Sequence, residues 1–97
     1  MARRSNSYDK MIATKMLDPE FARGVILHSL EFDDSIEEAL RLAITSMGIK
    51  EFAEKSSIPV QNVSGFVRGK RNFGYRTLNR CLAVFDLKFT VTKNEVA

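Results

Sequence analysis

Between residues 36 and 47 the apolar positions Ile36, Leu40, Ala43, Ile44 and Met47 recur at spacings of three and four, which is the stripe of an amphipathic helix. Ser35 with Glu38, or Asp34 with Glu37, stands at capping-box spacing before it, and these acids favour the positive end of a helix dipole. Gly48 is placed to end this helix. Upstream, Asp18-Pro19 combines a capping carboxylate with a residue suited to the first helical position. It predicts a helix from Pro19 to about Ser29 with Phe21, Val25 and Ile26 turned inward. Downstream, two short helices are expected over Ile49 to Ser56 and Pro59 to Arg68, separated by Ser57 and Ile58 and closed by Gly69. Lys70-Arg71-Asn72-Phe73-Gly74 reads as a loop, after which Leu78, Leu82 and Phe85 mark the inner stripe of another helix beginning near Tyr75.

The period then changes. Leu87, Phe89 and Val91 alternate with Lys88, Thr90 and Thr92, the pattern of a half-buried strand. No partner strand is evident upstream, and a lone strand leaves its ladder groups unpaired. Pairing with a second copy of the chain would satisfy them, so a homodimer is expected with Leu87, Phe89 and Val91 at its interface. At the other end, residues 1–7 are polar and basic without periodicity and read as a mobile arm. Tyr8 to Leu17 has no clear period and reads as either a short helix or an extended piece. The expected architecture is all-α: five helices in a domain over residues 18–97 with a short C-terminal β-strand, preceded by an arm and lead-in segment over residues 1–17.

Composition narrows the class of function. The chain has 97 residues, 44% of them hydrophobic and 28% charged, which suits one ordinary globular domain. No apolar run approaches the roughly 20 residues that span a bilayer. The basic start is followed by Tyr8-Asp9-Lys10 instead of an apolar signal core, so a cytoplasmic location is expected. Cys81 is the only cysteine and His28 the only histidine, which rules out an internal disulfide and a His/Cys zinc site built by one chain. No metal or cofactor is expected. Nor is catalysis, because no nucleophile, base and orienting group can be grouped, and the short glycine-containing segments form no phosphate loop.

Charge is sharply segregated. Residues 18–54 carry nine acidic and three basic groups, whereas residues 55–80 carry six basic groups and no acidic one. A basic block of that kind is the electrostatic footprint of a phosphate-rich partner. It coincides with the pair of short helices, where Phe52 and Ala53 on the first and Val63, Phe66 and Val67 on the second give the helix-turn-helix pattern. Ala53 is small because the helices cross closely there. Locking the pair through these residues leaves Val60, Gln61, Asn62, Ser64 and Gly65 free to face a DNA groove. Gln and Asn can bond adenine bidentately, Ser can bond several base edges, and Val can touch a thymine methyl. Around them Lys55, Arg68, Lys70, Arg71, Asn72, Tyr75 and Arg76 are candidates to hold phosphate, the last two through the start of their helix.

With these residues placed, the chain from about Leu17 to Val91 resembles the addiction-module antidote family, antitoxins of the Hig type within the phage-repressor-like helix-turn-helix group. The resemblance is carried by Leu17-Asp18-Pro19-Glu20-Phe21-Ala22, Ala39-Leu40-Arg41, Phe52-Ala53-Glu54-Lys55, Val63-Ser64, Gly69 and Phe85-Asp86-Leu87-Lys88-Phe89-Thr90-Val91. It implies a five-helix repressor-type domain, repression of its own operon through a double-stranded DNA operator, and neutralisation of a RelE-like toxin that cleaves messenger RNA. The chain departs from the family pattern at Ser57, where a turn Gly is usual, at Pro59, where a capping Ser is usual, and at Phe73, where the loop carries Pro. Val60-Gln61-Asn62 replaces the common Arg-Glu-Ser, which alters the expected DNA site. A toxin that binds RNA is expected to be basic, and Glu31, Asp33, Asp34, Glu37 and Glu38 would complement it. The same acids also stabilise their own helix, by a few tenths to about 1 kcal/mol each, without any partner.

Overall fold

The computed structural model describes residues 6–94, so residues 1–5 of the expected arm lie outside it. Six helices follow in order: α1 (Asn6–Met16), α2 (Pro19–Glu31), α3 (Ile36–Met47), α4 (Ile49–Ser56), α5 (Val60–Val67) and α6 (Tyr75–Ala83). Helix α3 is the hub: α1 and α2 pack on it and on each other, and α4 and α5 also pack against it. Helix α6 is reached through α4. One apolar cluster joins all six helices, running from Met16 through Ile26, Leu40, Ile44, Phe52, Val63 and Phe66 to Leu82 and Phe85.

The helix starts follow the local chemistry. Asp18 accepts a hydrogen bond from the Glu20 amide at 3.0 Å, with Pro19 opening α2. At α3 the capping box is complete: the Glu38 amide donates to Ser35 Oγ at 3.0 Å and the Ser35 amide donates to Glu38 Oε1 at 2.9 Å. A side-chain cap of this kind is worth about 1 kcal/mol. Inside α2 the buried side chains are Ala22, Ile26 and Ser29, with Val25 half-buried, while Phe21 remains 38% exposed at the edge of the groove between α1 and α3.

Two expectations are corrected. The segment left open between helix and extended chain is helical, making six helices instead of five. Ile12 and Met16, four residues apart, turn the same face to the core, and Met16 is only 1% exposed. Its signal was masked by Met11 and Leu17, apolar residues on the exposed side that blur the period. Packing on α3 supplies what local propensity lacks, since a helix this short is marginal by itself.

The C-terminal strand over Leu87, Phe89 and Val91 is absent: no strand occurs among the described residues. Alternation alone does not make a strand where no second strand offers a ladder. Leu87 instead completes the end of α6. Asp86 adopts a left-handed conformation, φ 61°, its amide donates to the Ala83 carbonyl at 3.0 Å, and the Leu87 amide donates to the Leu82 carbonyl at 3.0 Å. This is a Schellman ending, and its usual apolar contact explains why Leu87 is half-buried. The main chain of Phe89 is bonded on both sides by one side chain. Asn79 Nδ2 donates to the Phe89 carbonyl at 3.0 Å and the Phe89 amide donates to Asn79 Oδ1 at 2.6 Å. The carboxamide thus takes the place of a neighbouring strand, and Val91 beyond it is 79% exposed.

Cys81 is fully buried in the core, and burial pushes its thiol up to about 12 from 9.0, with Arg80 opposing the shift. The thiol therefore stays neutral and packs as a small apolar group.

The turn between α4 and α5 stores a small strain. Ser57 has φ 61° and ψ 28°, a left-handed conformation costing a residue with a Cβ about 1–2 kcal/mol. Replacing it by glycine removes that cost but adds unfolded-state entropy of about 0.5–1 kcal/mol. Ser57→Gly is expected to stabilise the protein by about 0.5–1 kcal/mol, seen as a higher midpoint in thermal and urea denaturation. An unchanged or lower midpoint would mean that the turn relaxes to accommodate the serine.

Candidate nucleic-acid interface

Helices α4 and α5 are two short helices packed on each other across a turn over residues 57–59, where the helix-turn-helix pair is expected. Phe52, Ala53, Val63 and Phe66 are buried between them and α3, with Ala53 5% exposed at the close approach. The three-residue turn is held from within. Ser56 is buried, and its Oγ accepts from the Ile58 amide at 3.3 Å while donating to the Ala53 carbonyl at 3.5 Å. Ile58 then inserts into the core at 5% exposure, which anchors the turn apolarly. Pro59 caps α5 by position only, with no side-chain hydrogen bond to its first turn.

This packing leaves a polar edge outside. Gln61 is exposed and Val60 is 45% exposed, while Asn62, Ser64 and Gly65 are half-buried. The side chains of Gln61, Asn62 and Ser64 have no hydrogen-bond partner within the described residues. Gly65 differs from the others. The Arg71 side chain lies beside it, its Cβ 3.4 Å from where a Cβ on Gly65 would stand.

The cations expected to grip phosphate fall into two groups. Arg68, Lys70, Arg71 and Arg76 are exposed and form no ion pair among the described residues. Lys55 is paired with Glu51 at 3.8 Å along the exposed side of α4, so its charge is partly compensated. Asn72 is exposed in the loop and Tyr75 is 51% exposed at the start of α6, with its ring 5.9 Å from that of Phe89. The first turn of α6 carries no side-chain cap, which leaves its amides available to an anion.

Two positioning residues escaped the reading of the sequence. Arg41, on α3, donates from Nε to the Phe66 carbonyl at 2.7 Å and holds its guanidinium 4.6 Å from the centre of the Phe66 ring. Phe73 stacks on Phe66 with ring centres 4.4 Å apart and an interplanar angle of 8°. Together they fix the far end of α5 and the loop that carries Lys70, Arg71 and Asn72. Gly69 completes the ending: its φ is 76°, its amide donates to the Phe66 carbonyl at 3.0 Å and the Lys70 amide donates to the Gly65 carbonyl at 2.9 Å. The available signals were an arginine within an otherwise amphipathic helix and an aromatic ring in a polar loop.

The acids considered for a basic protein partner have local tasks. Asp33, φ 68°, and Asp34 form the Schellman ending of α2, and Ser29 Oγ donates to an Asp34 carboxylate oxygen. Glu38 belongs to the capping box, Glu37 to the first turn of α3, and Glu31 lies 4.0 Å from His28. Leu87 completes the end of α6 and the Phe89 main chain is bonded by Asn79, whereas Val91 is exposed and engages neither.

Comparison with models of known protein families, with curated proteins and with solved structures found no match. The resemblance to the antidote family therefore rests on its motifs alone. No helix among the described residues is long and apolar enough to cross a membrane.

Arg41→Ala removes a charge-assisted hydrogen bond and a cation–π contact, and exposes the Phe66 carbonyl to a less complete partner set. The expected loss is about 2–3 kcal/mol of stability, measured by urea denaturation. Arg41→Lys, which lacks the planar fork, should recover only part of it. Full recovery by lysine would show that charge alone matters at this position.

Proposed function

We propose that this chain is a sequence-specific, DNA-binding transcriptional repressor that acts in the cytoplasm as a homodimer on a palindromic double-stranded operator. The observation that carries this reading is the exposed edge of α5: Gln61, Asn62 and Ser64 lack partners in the protein, and unpaired Arg68, Lys70, Arg71 and Arg76 flank them. A helix that buries Val63 and Phe66 on one side and offers amides and a hydroxyl on the other has the build of a recognition helix. In the proposed complex the polar edge of α5 enters the major groove. The flanking cations hold the phosphates, and two copies place their recognition helices one helical turn, about 34–36 Å, apart.

The resemblance to addiction-module antidotes supplies the second part of the proposal. The repressor is an antitoxin that represses its own operon and neutralises a RelE-like toxin that cleaves messenger RNA. Co-expression with the product of the adjacent gene tests this part, with co-purification of a basic partner as the expected result. Absence of a bound partner, with operator binding intact, would leave an operon-specific or phage-type regulator.

DNA recognition is tested by footprinting the region upstream of the gene and by titrating affinity against salt. Affinity should fall steeply as salt rises, because each neutralised phosphate releases counterions. Gln61→Ala should cost about 1–3 kcal/mol on the footprinted operator and little on random DNA, whereas Arg76→Ala should weaken both duplexes alike and flatten the salt slope by about 1. Equal losses on both duplexes for Gln61→Ala would remove that residue from base reading.

A further inference from the structure

Arg71 occupies an unusual place for a residue whose expected task is to hold phosphate. A Cβ built on Gly65 would lie 3.4 Å from Arg71 Cβ, 3.9 Å from its Cδ and 3.9 Å from its Nε. The side chain therefore runs along the surface of α5 at that point, within van der Waals contact of position 65. Gly65 lies one turn after Gln61 and next to Ser64, on the same edge of the helix. The guanidinium emerges on this edge.

We propose that Arg71 reads a base: it recognises a guanine in the major groove, next to the bases met by Gln61 and Ser64. The inference rests on the DNA-binding reading above and deepens it. The chain on either side of Arg71 is held in place by the ending of α5 before it and by Phe73 after it. The Lys70 amide donates to the Gly65 carbonyl at 2.9 Å, the Gly69 amide donates to the Phe66 carbonyl at 3.0 Å, and Phe73 stacks on Phe66 at 4.4 Å. A stem resting on Gly65 from a fixed backbone loses little further freedom on binding. No carboxylate or carbonyl engages the guanidinium among the described residues, and no acidic residue occurs between positions 55 and 80 to compete for it. The planar fork of arginine donors matches the O6 and N7 acceptors of guanine, the commonest specific contact in the major groove. Arg68, Lys70 and Arg76 remain free for the phosphates.

The test is site selection from random duplexes with the wild-type protein and Arg71→Ala, followed by binding to the selected duplex carrying 7-deazaguanine at each guanine in turn. That base lacks the N7 acceptor and leaves every phosphate intact. Arg71 is exposed, so Arg71→Ala should keep the wild-type thermal midpoint. The expected result is that Arg71→Ala loses preference for one guanine and keeps it elsewhere. The 7-deaza base at that position should weaken the wild type about tenfold or more and leave Arg71→Ala unchanged. Equal weakening of Arg71→Ala on selected and random duplexes, with a shallower salt slope, overturns the proposal by making Arg71 a phosphate ligand while the DNA-binding reading stands. A wild-type protein that selects no sequence and shows no salt dependence overturns the DNA-binding reading itself, and this inference with it.

Discussion

The guanidinium of Arg41 reaches from α3 to the last turn of α5, where it bonds the Phe66 carbonyl and lies against the Phe66 ring. Much of the exposed surface of interest depends on that one contact. Helix α5 has only eight residues, too few to hold a helical conformation unaided. Val63 and Phe66 attach it to the core, but apolar contacts are nondirectional and leave rotation about the helix axis weakly determined. A charge-assisted bond to a backbone carbonyl has a direction. It adds a directional tie to the burial of Val63 and Phe66, which turns Gln61 outward.

The same short stretch of backbone organises the loop that follows. The Phe66 carbonyl accepts from both Arg41 and the Gly69 amide, the two acceptor sites of one oxygen serving helix packing and helix termination together. Phe73 then returns to stack on the Phe66 ring. Lys70, Arg71 and Asn72 are thus carried between two fixed points. Their charges are presented by a loop of defined path.

Left-handed residues at helix ends recur through the fold. Asp33, Gly69 and Asp86 each end a helix with the same pair of backbone hydrogen bonds, and Ser57 turns the chain between α4 and α5. Only one of these four positions is glycine. Asp tolerates the conformation better than most residues with a Cβ, so Asp33 and Asp86 cost less than a bulkier side chain would. Asp86 also lies 3.4 Å from Arg23, which joins the end of α6 to α2.

Local chemistry made much of this legible from the sequence alone. Asp18, Ser35 and Glu38 cap helices as their spacing indicates, Gly48 and Gly69 end them, and the Phe52, Ala53, Val63 and Phe66 pattern packs α4 against α5. These features depend on residues a few positions apart, whose chemistry is complete within the segment. Tertiary structure alone decided the rest. Met16 makes α1 part of the domain only because α3 offers a surface to it, and alternation at Leu87, Phe89 and Val91 makes no strand because Asn79, ten residues from Phe89, bonds the main chain first. Arg41 and Arg71 were readable as cations, but their roles depend on what lies across a helix crossing or a loop. Periodicity reports which face of a segment is apolar; it does not report what that face, or a polar group beside it, will meet.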